Sequence, residues 1–186
     1  MFSPRVDRRR PLVSLPLASL GKKATQQCPC GYATDPTKHC QCNPLAVQRY
    51  RSRMSGPLLD RIDIHVEVPA VPVRELARRD AAGEPSVTIR ARVNAARAIQ
   101  QERYHDVPGV HCNAHLGTRE MKKFCPLDDT SASTLERALN MLGLSARAYD
   151  RIIKVARTIA DLAAAENIQV DHISEAINYR ALDRHV

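Results

Sequence analysis

The chain reads as a mainly α protein: a helical bundle in the C-terminal half, joined to a remnant of an α/β core. Three observations predict this. Between Leu144 and Ala163, Tyr149, Ile152, Ile153, Ala156, Ile159 and Ala163 recur at three- and four-residue steps, one apolar stripe on a long helix. Around that stretch, cap and breaker residues divide the second half into several further helices. Before it, a single segment alternates strictly, with Ile62, Ile64, Val66 and Val68 on one face and Asp63, His65 and Glu67 on the other, as a half-buried strand does.

The elements follow in order. Residues 28–43 form a cysteine-rich loop. Pro44 opens a short helix over Leu45–Met54, since proline suits the first helical turn, and Gly56-Pro57 breaks it. After the strand, Pro69, Pro72, Gly83 and Pro85 punctuate a loop region with a short helix at Val73–Arg79. Ser86 opens a helix to about Tyr104; His105–His115 is loop; a short helix covers Thr118–Phe124. Ser133 and Glu136 have capping-box spacing and start a helix that Gly143 ends. Ser145 is placed as the N-cap of the long helix, and Asp171 can cap a last one to about Leu182. Arg147, Arg151, Lys154, Arg157 and Asp161 fall away from the apolar stripe. Arg147 lies in the first turn, where a cation opposes the helix dipole, so it wants an external anion or a carboxylate partner; the plainer alternative is a solvated arginine on a surface helix.

Length and charge narrow the classes. A chain of 186 residues fits one domain, or a small core with a lid. No run approaches the ~18 apolar residues a membrane span needs, so a cytoplasmic protein without membrane contact is expected. The formal charge is +8, but Arg5, Arg8, Arg9, Arg10, Lys22 and Lys23 against Asp7 put +5 of it before Cys28. That is weak support for nucleic-acid binding by the folded part. Scarce aromatics and no tryptophan argue against a base-stacking platform.

Cys28, Cys30, Cys40 and Cys42 make a C-x-C…C-x-C pattern that can close a tetrahedral zinc site, with His39 able to replace one sulfur; inert or redox-active thiols are the alternative. Cys112 and Cys125 read as ordinary small apolar residues. Arg61 follows Leu58-Leu59-Asp60; from the residues alone it pairs with Asp60 or Asp63. His65, His105, His111, His115 and His172 have no metal spacing or acid–base partner and read as surface or core histidines.

Three segments in order resemble one family: CPCGY…CQC from Cys28, SGPLLDRIDIHVEVP over Ser55–Pro69, and LSARAYDRIIKVARTIADLA over Leu144–Ala163. They are similar to the cysteine insert, arginine-finger segment and sensor-2 helix of AAA+ ATPases of the magnesium-chelatase class, ComM/YifB type. The resemblance implies three regions: 1–27, a disordered tail outside the family; 28–70, cysteine insert and remnant of the nucleotide-binding core; 71–186, a helical lid. It implies ATP with Mg²⁺ as cofactor, a homo-oligomeric ring and DNA remodelling for a complete protein. In that reading Arg61 acts in trans on a neighbour's γ-phosphate, and Arg147 contacts nucleotide in its own subunit. The sequence holds no G-x-x-x-x-G-K-[ST] and no apolar strand ending in Asp-Glu. ATP hydrolysis by this chain alone is therefore not expected, and it reads as the C-terminal part of such an ATPase. The rival readings are a zinc-stabilised basic module for nucleic acid and a non-functional truncated gene product.

Overall fold

The computed structural model describes residues 28–33, 38–52, 61–66, 68, 71 and 83–180. The expected tail 1–27 and the helix at Val73–Arg79 lie outside them.

Helix α1 (Pro44–Arg51) starts where Asn43 accepts a hydrogen bond from the Ala46 N–H at 2.7 Å, with proline in the first turn. It buries no residue. Helix α2 (Ser86–Arg103) has the start expected of it, and a single 3₁₀ turn, Asn113–His115, interrupts the loop that follows. Helix α3 (Thr118–Phe124) begins where Glu120 accepts from the Gly117 N–H at 3.1 Å.

Helix α4 (Asp129–Leu142) begins four residues before the expected Ser133. The Asp128 carboxylate accepts from the Ser131 N–H at 2.7 Å, so a stronger cap upstream takes the start and leaves Ser133 inside the helix. Gly143 ends α4 at φ 61°, and Ser145 caps helix α5 (Ala146–Leu162) by accepting from the Ala148 N–H. Helix α6 (Val170–Asn178) follows Gln169, not Asp171, as its cap: Nδ1 of His172 accepts from the Gln169 N–H at 3.0 Å.

Helix α5 is the centre. It packs on α6, α2, α3 and the 3₁₀ turn, while α4 packs on α6. The core holds Leu116, Leu135, Ile152, Ala156, Ala160, Ile168, Ile173 and Ala176, with Tyr104 set edge-on to Phe124. Each fully buried Leu or Ile of this set contributes about 1.5–3 kcal/mol. Cys112 and Cys125 are buried beside them.

Two parts of the sequence reading are corrected. Tyr149 and Ala163 stand exposed at the edge of the α5 stripe, whereas Arg157 and Asp161, which fall away from that stripe, are buried. Among the described residues there is no strand. In Ile62–Val68 the alternation is reversed: Ile64, Val66 and Val68 are exposed, and His65 is buried. A strand needs a neighbour to complete its ladder, and among the described residues this segment makes one backbone–backbone bond, from the His65 N–H to the Tyr179 carbonyl at 2.7 Å.

Candidate functional site

Three groups of side chains stand out. The first is the cysteine cluster. A tight turn brings its pairs together, with the Gly31 N–H on the Cys28 carbonyl and Gly31 at φ 82°. The Sγ atoms of Cys28 and Cys30 lie 3.3 Å apart, Cys30 and Cys40 3.5 Å, Cys40 and Cys28 3.7 Å. All four sulfurs, Cys42 included, fall within 4.8 Å of one another, and Cys28 is fully buried. Four thiolates at the usual zinc–sulfur distance of ~2.3 Å would stand about 3.8 Å apart, so the donor set fits a tetrahedral ion. His39 is exposed and takes no place in the group. The Tyr32 backbone N–H and the Cys28 thiol favour the Cys30 thiolate and bring its pKa down to about 6. For Cys40, the Cys42 backbone N–H favours ionisation, but its bond to Cys30 and its burial prevail and push it up to about 12.

The second group is the pair of arginines. Arg147 is exposed in the first turn of α5, a turn that contains no acidic residue. Arg61 is exposed as well. Neither makes a hydrogen bond or ion pair with any described residue. Asp63, one of the two carboxylates expected to hold Arg61, pairs instead with Arg151 of α5.

The third group was missed by sequence reasoning. The Asp161 carboxylate, fully buried, accepts from Arg103 through Nη1 at 3.1 Å and Nη2 at 2.6 Å, from Asn113 Nδ2 at 2.8 Å and from Arg157 Nε at 3.1 Å. Asn113 Oδ1 also accepts a hydrogen bond from the Tyr104 hydroxyl, and its Nδ2 donates to the Thr158 hydroxyl. Arg157, 2% exposed, spends its remaining donors on the carbonyls of Ala165 and Glu166, at 2.7 and 2.8 Å. Burial works against ionisation of Asp161, yet the hydrogen bonds from Arg103 and Asn113 and the charge of Arg157 hold its pKa below the usual carboxylate range. This network ties α2, the 3₁₀ turn and the α5–α6 turn together, with both oxygens of the Asp161 carboxylate engaged.

Comparison with known proteins places these features. The family model of the magnesium chelatase subunit ChlI C-terminal domain matches residues 83–180, the whole helical bundle. The chain belongs to the magnesium-chelatase family. The model of magnesium chelatase subunit ChlI matches residues 5–76, so family similarity reaches into the segment 1–27 that the motifs had left outside. Competence protein ComM of Haemophilus influenzae is 44% identical over 146 residues, which is 78% of this chain and 28% of that protein. The protein YifB of Escherichia coli is 43% identical over the same span. A protein of Mycobacterium tuberculosis is 32% identical over 177 residues, 95% of this chain and 34% of that protein. The chain thus spans about a third or less of the length of these relatives. Among the described residues no helix is long and apolar enough to cross a membrane.

Proposed function

We propose that this chain is the lid-bearing part of an ATP-driven, magnesium-dependent ring of the ComM/YifB type, with DNA as the partner of the complete assembly. Arg147 contacts nucleotide phosphate in its own subunit, and Arg61 reaches the γ-phosphate in the next. Cys28, Cys30, Cys40 and Cys42 hold a structural zinc ion.

One observation carries the reading: Arg147 stands exposed, with no ion-pair partner among the described residues, at the N-terminal end of α5, which Ser145 caps. There the last unsatisfied N–H groups and the guanidinium concentrate positive charge, which an anion relieves. Among the described residues Arg61 has no ion-pair partner, Asp63 being engaged by Arg151, and this supports the second role. Bound ATP with Mg²⁺ would supply the phosphoryl group, and the chain's own part is to place positive charge around it. An arginine near the transferring phosphoryl group stabilises charge that develops in the transition state.

The test needs these residues in a complete ring. Arg61→Ala should cost on the order of 10³-fold in ATP turnover, because charge stabilisation is most of phosphoryl-transfer catalysis. Mixed with a P-loop-dead subunit that keeps Arg61, it should regain activity, since each finger serves the neighbour. Arg147→Ala should gain nothing from the same mixing. A small loss for Arg61→Ala with no rescue would overturn the trans role.

A further inference from the structure

Residues 62–65 carry three ties to the far end of the sequence. The Asp63 carboxylate pairs with Arg151 of α5, 88 positions on. The His65 backbone N–H donates to the Tyr179 carbonyl just past α6. Nη1 of Arg180, a fully buried side chain, donates to the Ile62 carbonyl. One short segment is thereby fastened to α5 and to the end of α6. Arg61 is the residue immediately before it. Arg151 is one helical turn beyond Arg147, on the same face of α5. Arg61 thus lies two residues from one partner of the clasp, and Arg147 one helical turn from the other.

The geometry points to Asp63 and Arg151 as positioning residues that make Arg61 and Arg147 a single rigid unit. The consequence rests on the functional reading above: any movement of the lid on its own nucleotide through Arg147 carries Arg61 with it toward the neighbour. One subunit's nucleotide state is then passed to the next by position, with no further contact required. The pair has a second property that suits it to this. Both side chains are partly exposed, 30% for Arg151 and 40% for Asp63. Such a pair contributes little to folding. Its alteration therefore loosens the segment without unfolding the bundle.

The experiment uses the 186-residue chain. Spin labels are attached through a ketone-bearing unnatural amino acid at positions 61 and 147, which leaves the six cysteines untouched, and the distance distribution between them is measured. The native clasp should give one narrow distribution. Asp63→Arg, which sets two cations against each other, should broaden it on the order of twofold. Arg151→Asp should do the same, and the charge-swapped double variant should restore the narrow form. Amide exchange gives a second readout: the His65 N–H should lose protection by roughly tenfold in either single variant and recover in the double, while α4 amides stay unchanged. A broad native distribution would overturn the proposal. So would a single reversal that leaves the distribution narrow, or a swap that restores nothing. This readout is independent of nucleotide, so it judges the clasp even where the subunit-mixing test fails, and the reverse.

Discussion

Asp161→Asn removes one charge from a fully buried side chain and changes almost nothing else in shape. In the native chain its carboxylate faces Arg103 in a two-pronged pair and Arg157 within the same helix. Arg103 lies partly at the surface, its side chain 18% exposed, so it can recover some hydration. Arg157 cannot, being 2% exposed with its other donors fixed on the Ala165 and Glu166 carbonyls. The substitution therefore leaves one fully buried guanidinium without its counter-charge, and the new amide NH₂ points a donor at other donors. Removing one partner of a buried pair costs about 3–5 kcal/mol. The bundle over residues 83–180 is of a size at which 1 kcal/mol moves the melting temperature by about 4–8 °C, so a fall of at least ~12 °C is expected. Urea and thermal unfolding followed by the helical circular dichroism signal measure it directly. The pH dependence gives the same argument a sign. The folded pKa of Asp161 is depressed, so its stabilisation is complete above the unfolded carboxylate pKa of ~3.9 and is lost as pH falls below that toward the folded value. Asp161→Asn should lack this acid-side component. A variant within ~0.5 kcal/mol of native, with an unchanged acid limb, would refute the claim that this carboxylate holds α2 to α5, since that is the scatter of ordinary surface substitutions.

Two further outcomes are expected. The purified chain should carry one equivalent of zinc by metal analysis, and Cys28→Ser and Cys40→Ser should each abolish it, because a lost ligand opens the tetrahedron; metal-free protein of native stability would mean inert thiols. Gly143→Ala should cost about 1 kcal/mol in urea unfolding: φ is 61° but nothing lies within 4 Å of the added Cβ, so the penalty is conformational alone, and a neutral result would show that the turn relaxes.

What was legible followed from local rules. The apolar spacing of α5, the Ser145 cap and the glycine stop at Gly143 are decided by residues within a few positions of one another, and the structure has the cap, the stop and the middle of the stripe, Ile152, Ile153 and Ala156, as expected. The four clustered cysteines were equally open to reading, because their pairing is a matter of spacing. The Asp161 network was not. Its members are 58 and 48 positions from their partners, and a periodicity argument assigns any Arg or Asp on a helix to water. The only local trace is Arg157 and Asp161 at an i, i+4 step, which looks the same on a solvent-facing helix. The strand was over-read for the converse reason: alternation states which side chains share a face, but the ladder that would make it a strand depends on a neighbour elsewhere.

The Arg103–Asp161–Arg157 knot also sets the rotational phase of α5. Asp161 lies fourteen residues from Arg147, about 21 Å along the axis at 1.5 Å per residue. An apolar helix face tolerates some turning about its own axis, since dispersion contacts have no direction. A carboxylate gripped from two sides by guanidinium groups and from a third by Asn113 does not. The helix behaves like a shaft with a key cut near one end: slipping it by one residue would swing every side chain through about 100°. The azimuth at which Arg147 leaves the bundle is thus decided four turns away, at a site with no exposure to any ligand.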